Sequence, residues 1–421
     1  MKKTLIWLLT FTAQWAMAQS LDECQQAARD NYPLIKQYKL IEQTTTAAID
    51  NIDKGWLPQI STTMQATLQN RVSAFPDALV NVLRRQNGSM QGLGKLQYRL
   101  GAEISQTVYD GGAIRLQKEA ARREGDLQTA QNDVTLYALR QRVNDLYFGI
   151  LLIDQKLMLN KDLQQVLLSN EKTLENMFKG GTAAESDLNT VRAERLNVVQ
   201  QQVDMESQRN ALVQLLEAFT GKAVRSVTKP QPVDIQHRGV RPEVSLINKQ
   251  LELYDVQEKT LDTRLIPRLS IFASGYYGYT GYDMFHDMMD RKMTFNALVG
   301  ARITWNIGAL YTRKNDKTKL VLQRQSAEIQ RAAFLFNNTM QNIQQNNDIV
   351  RYRKLMETDN EIIRLRTSVR KATESKLNHG IIAANDLIKV IGNENAARQM
   401  RSLHEIELLK AMYDLKITQN N

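Results

Sequence analysis

The chain has 421 residues, a formal net charge of +10, 43% apolar residues and a single cysteine. One cysteine excludes an internal disulfide, and with only four histidines the inventory is poor for metal or nucleophilic chemistry, so no catalytic residue, cofactor or metal set is expected. The modest basic surplus reads as solvated surface, with no nucleic acid among the expected partners.

Residues 1–18 read as an export signal. Lys2 and Lys3 precede a short apolar run from Leu5 to Ala13, and Ala16-Met17-Ala18 fits a small-x-small cleavage site. Cys24 follows Leu21-Asp22-Glu23, where bulky and acidic residues replace the small ones expected before a lipid-bearing cysteine; it is expected to pack on the first helix. No stretch of the remaining chain approaches the ~20 apolar residues of a membrane helix, so any crossing must be made by strands.

From there the chain reads as one pattern of elements written twice. The first repeat, 19–240, is expected to hold a helix over Ser20–Lys54, strands at about 57–70 and 93–109, a long helix over 112–179, a return helix over 182–220 and a connector over 221–241. The second, 242–421, is expected to hold a helix over 242–264, strands at about 266–281 and 293–306, a long helix over 309–378 and a return helix over 381–418. Pro33 is answered by Pro242, Pro58 by Pro267, Tyr109-Asp110-Gly111-Gly112 by Trp305-Asn306-Ile307-Gly308, and Gly181 with Asp187-Leu188 by Gly380 with Asp386-Leu387. A repeat of this length builds similar wall segments within one architecture.

All four strands alternate with a period of two. Ile60, Met64 and Leu68, then Leu96, Tyr98, Leu100 and Ile104, then Ile271 and Tyr277, then Phe295, Val299 and Ile303 define one apolar face. Lys95, Arg99, Glu103 and Arg302 fall on the opposite face, where charge is tolerated only against water or a partner; they are candidate lumen-lining residues. Tilted strands of ~9–11 residues cross an outer-membrane hydrocarbon layer, and these segments are long enough. A soluble sandwich with one wet face would need a second sheet that four strands do not supply. Four strands also cannot close, and open edges are not tolerated in hydrocarbon, so the chain is expected to lend its strands to a shared barrel of three copies. The connections Arg71–Gly92 and Tyr282–Lys292 would then face the exterior. In the second, His286 among Asp283, Asp287 and Asp290 is a weak metal candidate, better read as polar loop, and Met284, Met288 and Met289 as loop packing.

The proline-free long helices would each measure roughly 100 Å at 1.5 Å per residue. Leu139, Val143, Leu146, Ile150, Ile153 and Leu157 are spaced four and three apart, the seam of a coiled coil. Length matching pairs the return helix 182–220 with the helix 242–264, and the return helix 381–418 with Ser20–Lys54, as end-to-end stacks beside the long helices. The proline-bearing connector 221–241 would interrupt the first stack.

Several segments together resemble the TolC family of outer-membrane efflux proteins. They are Leu21 to Pro33, Trp56-Leu57-Pro58-Gln59-Ile60-Ser61, Gln106-Thr107-Val108-Tyr109-Asp110-Gly111-Gly112, and the tip segments Gly181 to Asp187-Leu188-Asn189 and Gly380 to Asp386-Leu387. Each is weak alone; their order and duplication are specific, and the resemblance covers Ser20–Thr418. It implies an α+β membrane protein. Three chains would share a twelve-stranded transmembrane β-barrel and a long periplasmic coiled-coil α-barrel, in the cell outer membrane and exposed to its lipid. It also implies a passive exit duct of a tripartite efflux or type I secretion system, served by a periplasmic adaptor (membrane-fusion) protein and an inner-membrane efflux pump or ABC exporter. In the family, acidic residues one turn apart near the second tip constrict the tunnel. Asp386 matches the first of them, but Lys389 stands where the second acid would be. Asp386, Lys389, Asp187, Gly181 and Gly380 are therefore the candidate gate and tip residues. Asp386 has a simpler reading as an acid at a helix N-terminus, and Asp187 holds the same place in the first repeat. A stand-alone porin-like channel and a periplasmic coiled-coil scaffold are the competing functions. A porin needs no long helices, and a scaffold needs no membrane strands.

Overall fold

The computed structural model describes residues 19–85, 92–233, 239–379 and 381–420. The expected signal 1–18 and Gly380 lie outside the described residues. In chain order the elements are α1 (Leu21–Asn31), α2 (Gln37–Asp53), β1 (Gln59–Leu68), α3 (Asp77–Arg85), β2 (Leu96–Tyr109), α4 (Ala113–Lys179), α5 (Glu185–Thr220), α6 (Pro242–Thr263), β3 (Arg268–Tyr279), α7 (Met284–Met289), β4 (Thr294–Thr304), α8 (Ala309–Asn378) and α9 (Ala384–Thr418). Among the described residues, no helix is long and apolar enough to cross a membrane.

The expected first helix is two. Pro33 has no N–H to continue the helical ladder, Tyr32 before it is extended, and a 3-10 turn over Pro33–Lys36 links α1 to α2. Ser20 and Glu23 form a reciprocal capping box that starts α1. Asp110 starts α4: its carboxylate accepts from Gly112 N at 2.8 Å and Ile114 N at 2.5 Å. Gly111 there has φ +70°, and a Cβ on it would stand 2.7 Å from Ile266, so the turn requires glycine twice over.

The chain divides into two compact units, and each sequence repeat contributes to both: Met1–Tyr38 with Ala130–Leu246 and Gln330–Asn421, and Lys39–Thr129 with Ile247–Ile329. The second unit carries one antiparallel sheet in the order β1-β2-β3-β4. Its helical segments follow the same order. Lys118 of α4 pairs with Asp53 of α2 at 2.6 Å, Arg123 of α4 with Glu252 of α6 at 2.9 Å, and Lys317 and Arg313 of α8 with Glu258 and Asp262 of α6, each at 2.7 Å.

In the first unit α4 is held from both sides, by Arg209 of α5 on Asp154 at 2.5 Å and by Lys410 of α9 on Asp145 at 2.9 Å. Its seam residues Leu139, Val143, Ile150 and Ile153 are buried. Tyr147 and Phe148 share that core with Leu21, Cys24 and Ala28 of α1, Leu216 of α5, and Ile406, Leu409 and Tyr413 of α9. Cys24 is 1% exposed, and burial, then the charge of Glu23, pushes its thiol up to about 11 despite Lys222.

The stacking differs from the one length matching implies. α9 abuts the start of α6, where Arg241 Nη1 donates to Ile417 O at 2.9 Å and Gly239 N to Gln419 O at 3.0 Å. α5 ends against α1, with Asn31 Nδ2 donating to Phe219 O at 3.1 Å and Gln19 N to Ser226 O at 3.1 Å. Each return helix thus meets the opening helix of its own repeat. Helix lengths are nearly interchangeable between the two arrangements; the donors that satisfy the last carbonyls of each return helix are not. The connections between strands also hold more structure than expected, since each contains a short helix, α3 or α7.

Candidate functional site

Two places carry the candidate residues: the sheet and the two helical tips. In the sheet, register aligns apolar residues in rows across all four strands. Ile60, Ile104, Ala273 and Val299 form one row, and Met64, Leu100, Tyr277 and Phe295 another. These side chains are not core. Met64 is 86% exposed and Val299 82%, although in a water-soluble sheet such a face would be covered.

The opposite face carries the charges, and the fold gives most of them partners. Arg302 Nη1 lies 3.5 Å from Glu103 Oε1, and its guanidinium sits 4.5 Å above the Phe272 ring. Arg99 lies 5.0 Å above the Tyr276 ring and donates to Thr280 Oγ1 at 3.4 Å. Lys95 precedes β2, is exposed, and makes no ion pair among the described residues. Glu103, Arg302 and Arg99 are therefore both on the polar face and engaged with it.

The residues of the weak metal candidate do separate structural work. Asp283 caps α7 by accepting from His286 N at 3.0 Å, buried Asp287 accepts from Gly281 N at 2.5 Å, and Asp290 pairs with Lys292 at 2.7 Å. Among the described residues no group of His, Cys, Asp and Glu is arranged to hold a metal ion.

At the first tip Gly181, at φ +72°, terminates α4: Thr182 N returns to Met177 O at 2.8 Å and Gly181 N to Phe178 O at 2.9 Å. The second tip repeats the longer bond, Ile381 N to Lys376 O at 3.0 Å. The Asp-Leu pairs divide their work. Leu188 and Leu387 enter a shared core with Leu167, Leu174, Val191, Val198, Leu377, Ala384 and Ile391. Asp187 reaches across to α9 and accepts from Ala384 N at 3.1 Å, satisfying one of the free N–H groups at that helix start. Asp386, its counterpart, is exposed, as is Lys389, and neither makes an ion pair among the described residues. The two tips are therefore unequal: one aspartate is spent on structure and the other stands free.

A second asymmetry was not read from the sequence. Glu171 of α4 is clasped by Arg192 at 3.0 Å and Arg195 at 2.6 Å, both on α5. In the other hairpin Arg370 of α8 meets Glu394 of α9 at 2.5 Å, with Arg398 on the same carboxylate at 2.7 Å and Thr367 at 2.9 Å. The offset that relates Asp187 to Asp386 also relates Glu171 to Arg370 and Arg195 to Glu394, so the pair recurs with its charges exchanged. That offset is the signal that would have found it. Burial alone would raise both carboxyls; for Glu394 the bonds from Arg398, Arg370 and Thr367 outweigh burial, and for Glu171 those from Arg195 and Arg192 do, so each is held below the ordinary carboxylate value.

Neither a protein-family model nor a curated protein matches the chain. Solved structures do. The Campylobacter jejuni CmeC outer membrane channel is similar over 94% of this chain and 85% of its own, at 12% identity and a TM-score of 0.65. The outer membrane protein VceC of Vibrio cholerae matches over 95% and 94%, at 11% identity and a TM-score of 0.68. The open state of the Neisseria gonorrhoeae MtrE outer membrane channel matches over 95% and 89%, at 13% identity and a TM-score of 0.67. At such identities the likeness is one of fold. The fold is TolC-like, with long helices and four antiparallel strands per chain.

Proposed function

We propose that the chain is one third of an outer-membrane exit duct, a homotrimer that passively conducts substrates delivered by a periplasmic adaptor and an inner-membrane pump. The observation that carries this reading is the sheet: its apolar face is exposed, its polar face holds the charges, and β1 and β4 end it as unpaired edges. Open edges are excluded from hydrocarbon, so β4 of one copy must meet β1 of the next.

The helices support the same closure. Next to the β4 edge, α8 is salt-bridged to α6 and, lower down, to α9. Along the rest of α8, Leu322, Ile329, Phe336, Ile343 and Val350 are exposed at seven-residue intervals, a coiled-coil seam left uncovered among the described residues. α5, beyond the other flank of α4, exposes Leu196 and Val203 at the same spacing. A second copy placed alongside this α8 would cover both seams. Replacing Phe336 and Ile343 together with asparagine is expected to weaken each interface by roughly 3 kcal/mol or more, at about 1.5–3 kcal/mol per buried large apolar side chain. Analytical ultracentrifugation of the detergent-solubilised chain reads the result, and an unchanged trimer would count against the seam.

Within the duct, three Asp386 carboxylates and three Lys389 ammonium groups would face one another around the axis, and their exposure without an ion pair among the described residues leaves them available. Asp386→Ala with Lys389→Ala is expected to raise single-channel conductance in planar bilayers, whereas Asp187→Ala should instead loosen the tip by about 1 kcal/mol through the lost cap. Equal conductance for wild type and the double variant would remove these residues from the gate. The function is tested by drug sensitivity of a strain lacking the protein, complemented with and without a co-expressed adaptor. Complementation that requires the adaptor supports the duct; complementation without one points to a stand-alone porin.

A further inference from the structure

The segments joining the strands at the outer end of the sheet have a feature that a simple connection does not need. Register places Tyr279 opposite Tyr98, and Tyr98 opposite Ala66, so Tyr279 belongs to the outward apolar face of the sheet. Yet Tyr279 is buried, because both connections fold over it: Leu93 and Met288 cover it, with Val72 and Phe75 packed beside them. Its hydroxyl accepts from Gly94 N at 2.7 Å and donates to Asp287 O at 3.4 Å, tying the first connection to the second. Phe75 of the first meets Phe285 of the second at 6.1 Å. The connections therefore pack on the side that carries Leu100, Ile104, Phe295 and Val299.

What they expose there is apolar on one part and basic on another. α3 is strongly amphipathic: Leu79 and Val82 share one flank and are exposed, while Asp77, Asn81, Arg84 and Arg85 occupy the other. Beside it Met284, Phe285 and Met289 of α7 are exposed as well. Arg71, Arg84 and Arg85 are exposed and make no ion pair among the described residues. An amphipathic helix with an apolar flank and unpaired arginines, continuous with a lipid-facing sheet, matches the boundary between acyl chains and anionic headgroups.

We propose that α3 and α7 form a collar that lies on the outer surface of the bilayer, with Leu79, Val82 and Phe285 among the upper acyl chains and Arg71, Arg84 and Arg85 against phosphate-bearing headgroups. This rests on the reading of the sheet as membrane-spanning, and the experiment separates the two. In a Cys24→Ala background, Val82→Cys and, separately, Val299→Cys are labelled with the environment-sensitive fluorophore NBD. The full-length assembly is then placed in vesicles of phosphatidylcholine, with or without phosphatidylglycerol. Brominated lipids should quench both labels, the one at position 82 most by bromines near the headgroup. Phosphatidylglycerol should increase lipid quenching at 82, and R84Q/R85Q should remove that increase, the preference for anionic headgroups falling roughly fivefold per arginine removed. A label at 82 that only aqueous iodide quenches, while 299 remains lipid-quenched, overturns the collar and leaves the membrane reading intact. Absence of lipid quenching at both positions overturns both. Bismaleimide bridging of Val82→Cys between copies would assign the flank to a neighbouring chain and also overturn the collar.

Discussion

Val299→Arg is expected to cost about 2–4 kcal/mol of stability in a bilayer, the penalty for a cation on the lipid face of a barrel near the midplane. The same change on a water-exposed strand is usually within ±0.5 kcal/mol. Val299 lies at the middle of β4 and is 82% exposed, so no loss of packing confuses the result. Ile303→Arg, nearer the strand end, should cost only about 0–1 kcal/mol. Urea unfolding of the assembled protein in phospholipid vesicles measures both. A neutral Val299→Arg would mean that this face is covered by protein or water, and the duct would lose its membrane segment.

The other large effect lies in the α8–α9 hairpin. Glu394→Ala should cost about 3 kcal/mol, the low end for breaking a buried ion pair by removing one partner. The low end applies because Arg370 keeps Glu374 as a neighbour. Glu171→Ala should cost less, since the arginines it would leave behind are already half exposed. The Glu394 contribution also depends on pH. Its folded carboxyl titrates below the unfolded value of 4.5. The stabilisation is therefore complete above that pH and fades as the pH falls through the folded value. Hydrogen exchange along α9 at neutral pH and below pH 4.5 should show the hairpin loosening on acidification. Glu394→Gln should be looser at neutral pH and insensitive to the change. A wild-type hairpin whose protection does not fall with pH would dismiss the pair as a stabilising element.

The fate of single residues shows how far the chain could be read before folding. Alternation alone places Val299 and Glu103 on opposite faces, because a strand turns its side chains by half a revolution per residue and the rule is local. Register then confirmed which apolar residues share a row. Leu188 and Asp187 are adjacent in a repeated motif, and the motif located the tip. That Asp187 would cap the helix of the other repeat could not be read from it, since Ala384 comes near only through the fold. α3 lies within a segment whose position between two strands suggests a plain connection, although the placement of Leu79, Val82 and the consecutive arginines Arg84 and Arg85 is that of an amphipathic helix.

By itself the sequence determined what depends on neighbours a few residues apart: the alternating faces of the strands, the glycine-turned helix ends, the heptad seams and the duplication that orders them. Only the tertiary structure decided which return helix abuts which opening helix, which aspartate is occupied and which is free, and that the charges exchanged between the repeats meet as buried ion pairs. Those outcomes join residues far apart in sequence. Near-equal helix lengths and duplicated motifs make the alternatives nearly degenerate in sequence, and the balance falls to individual donors, such as Arg241 on the last carbonyls of α9, and to charges that must find their opposites when buried.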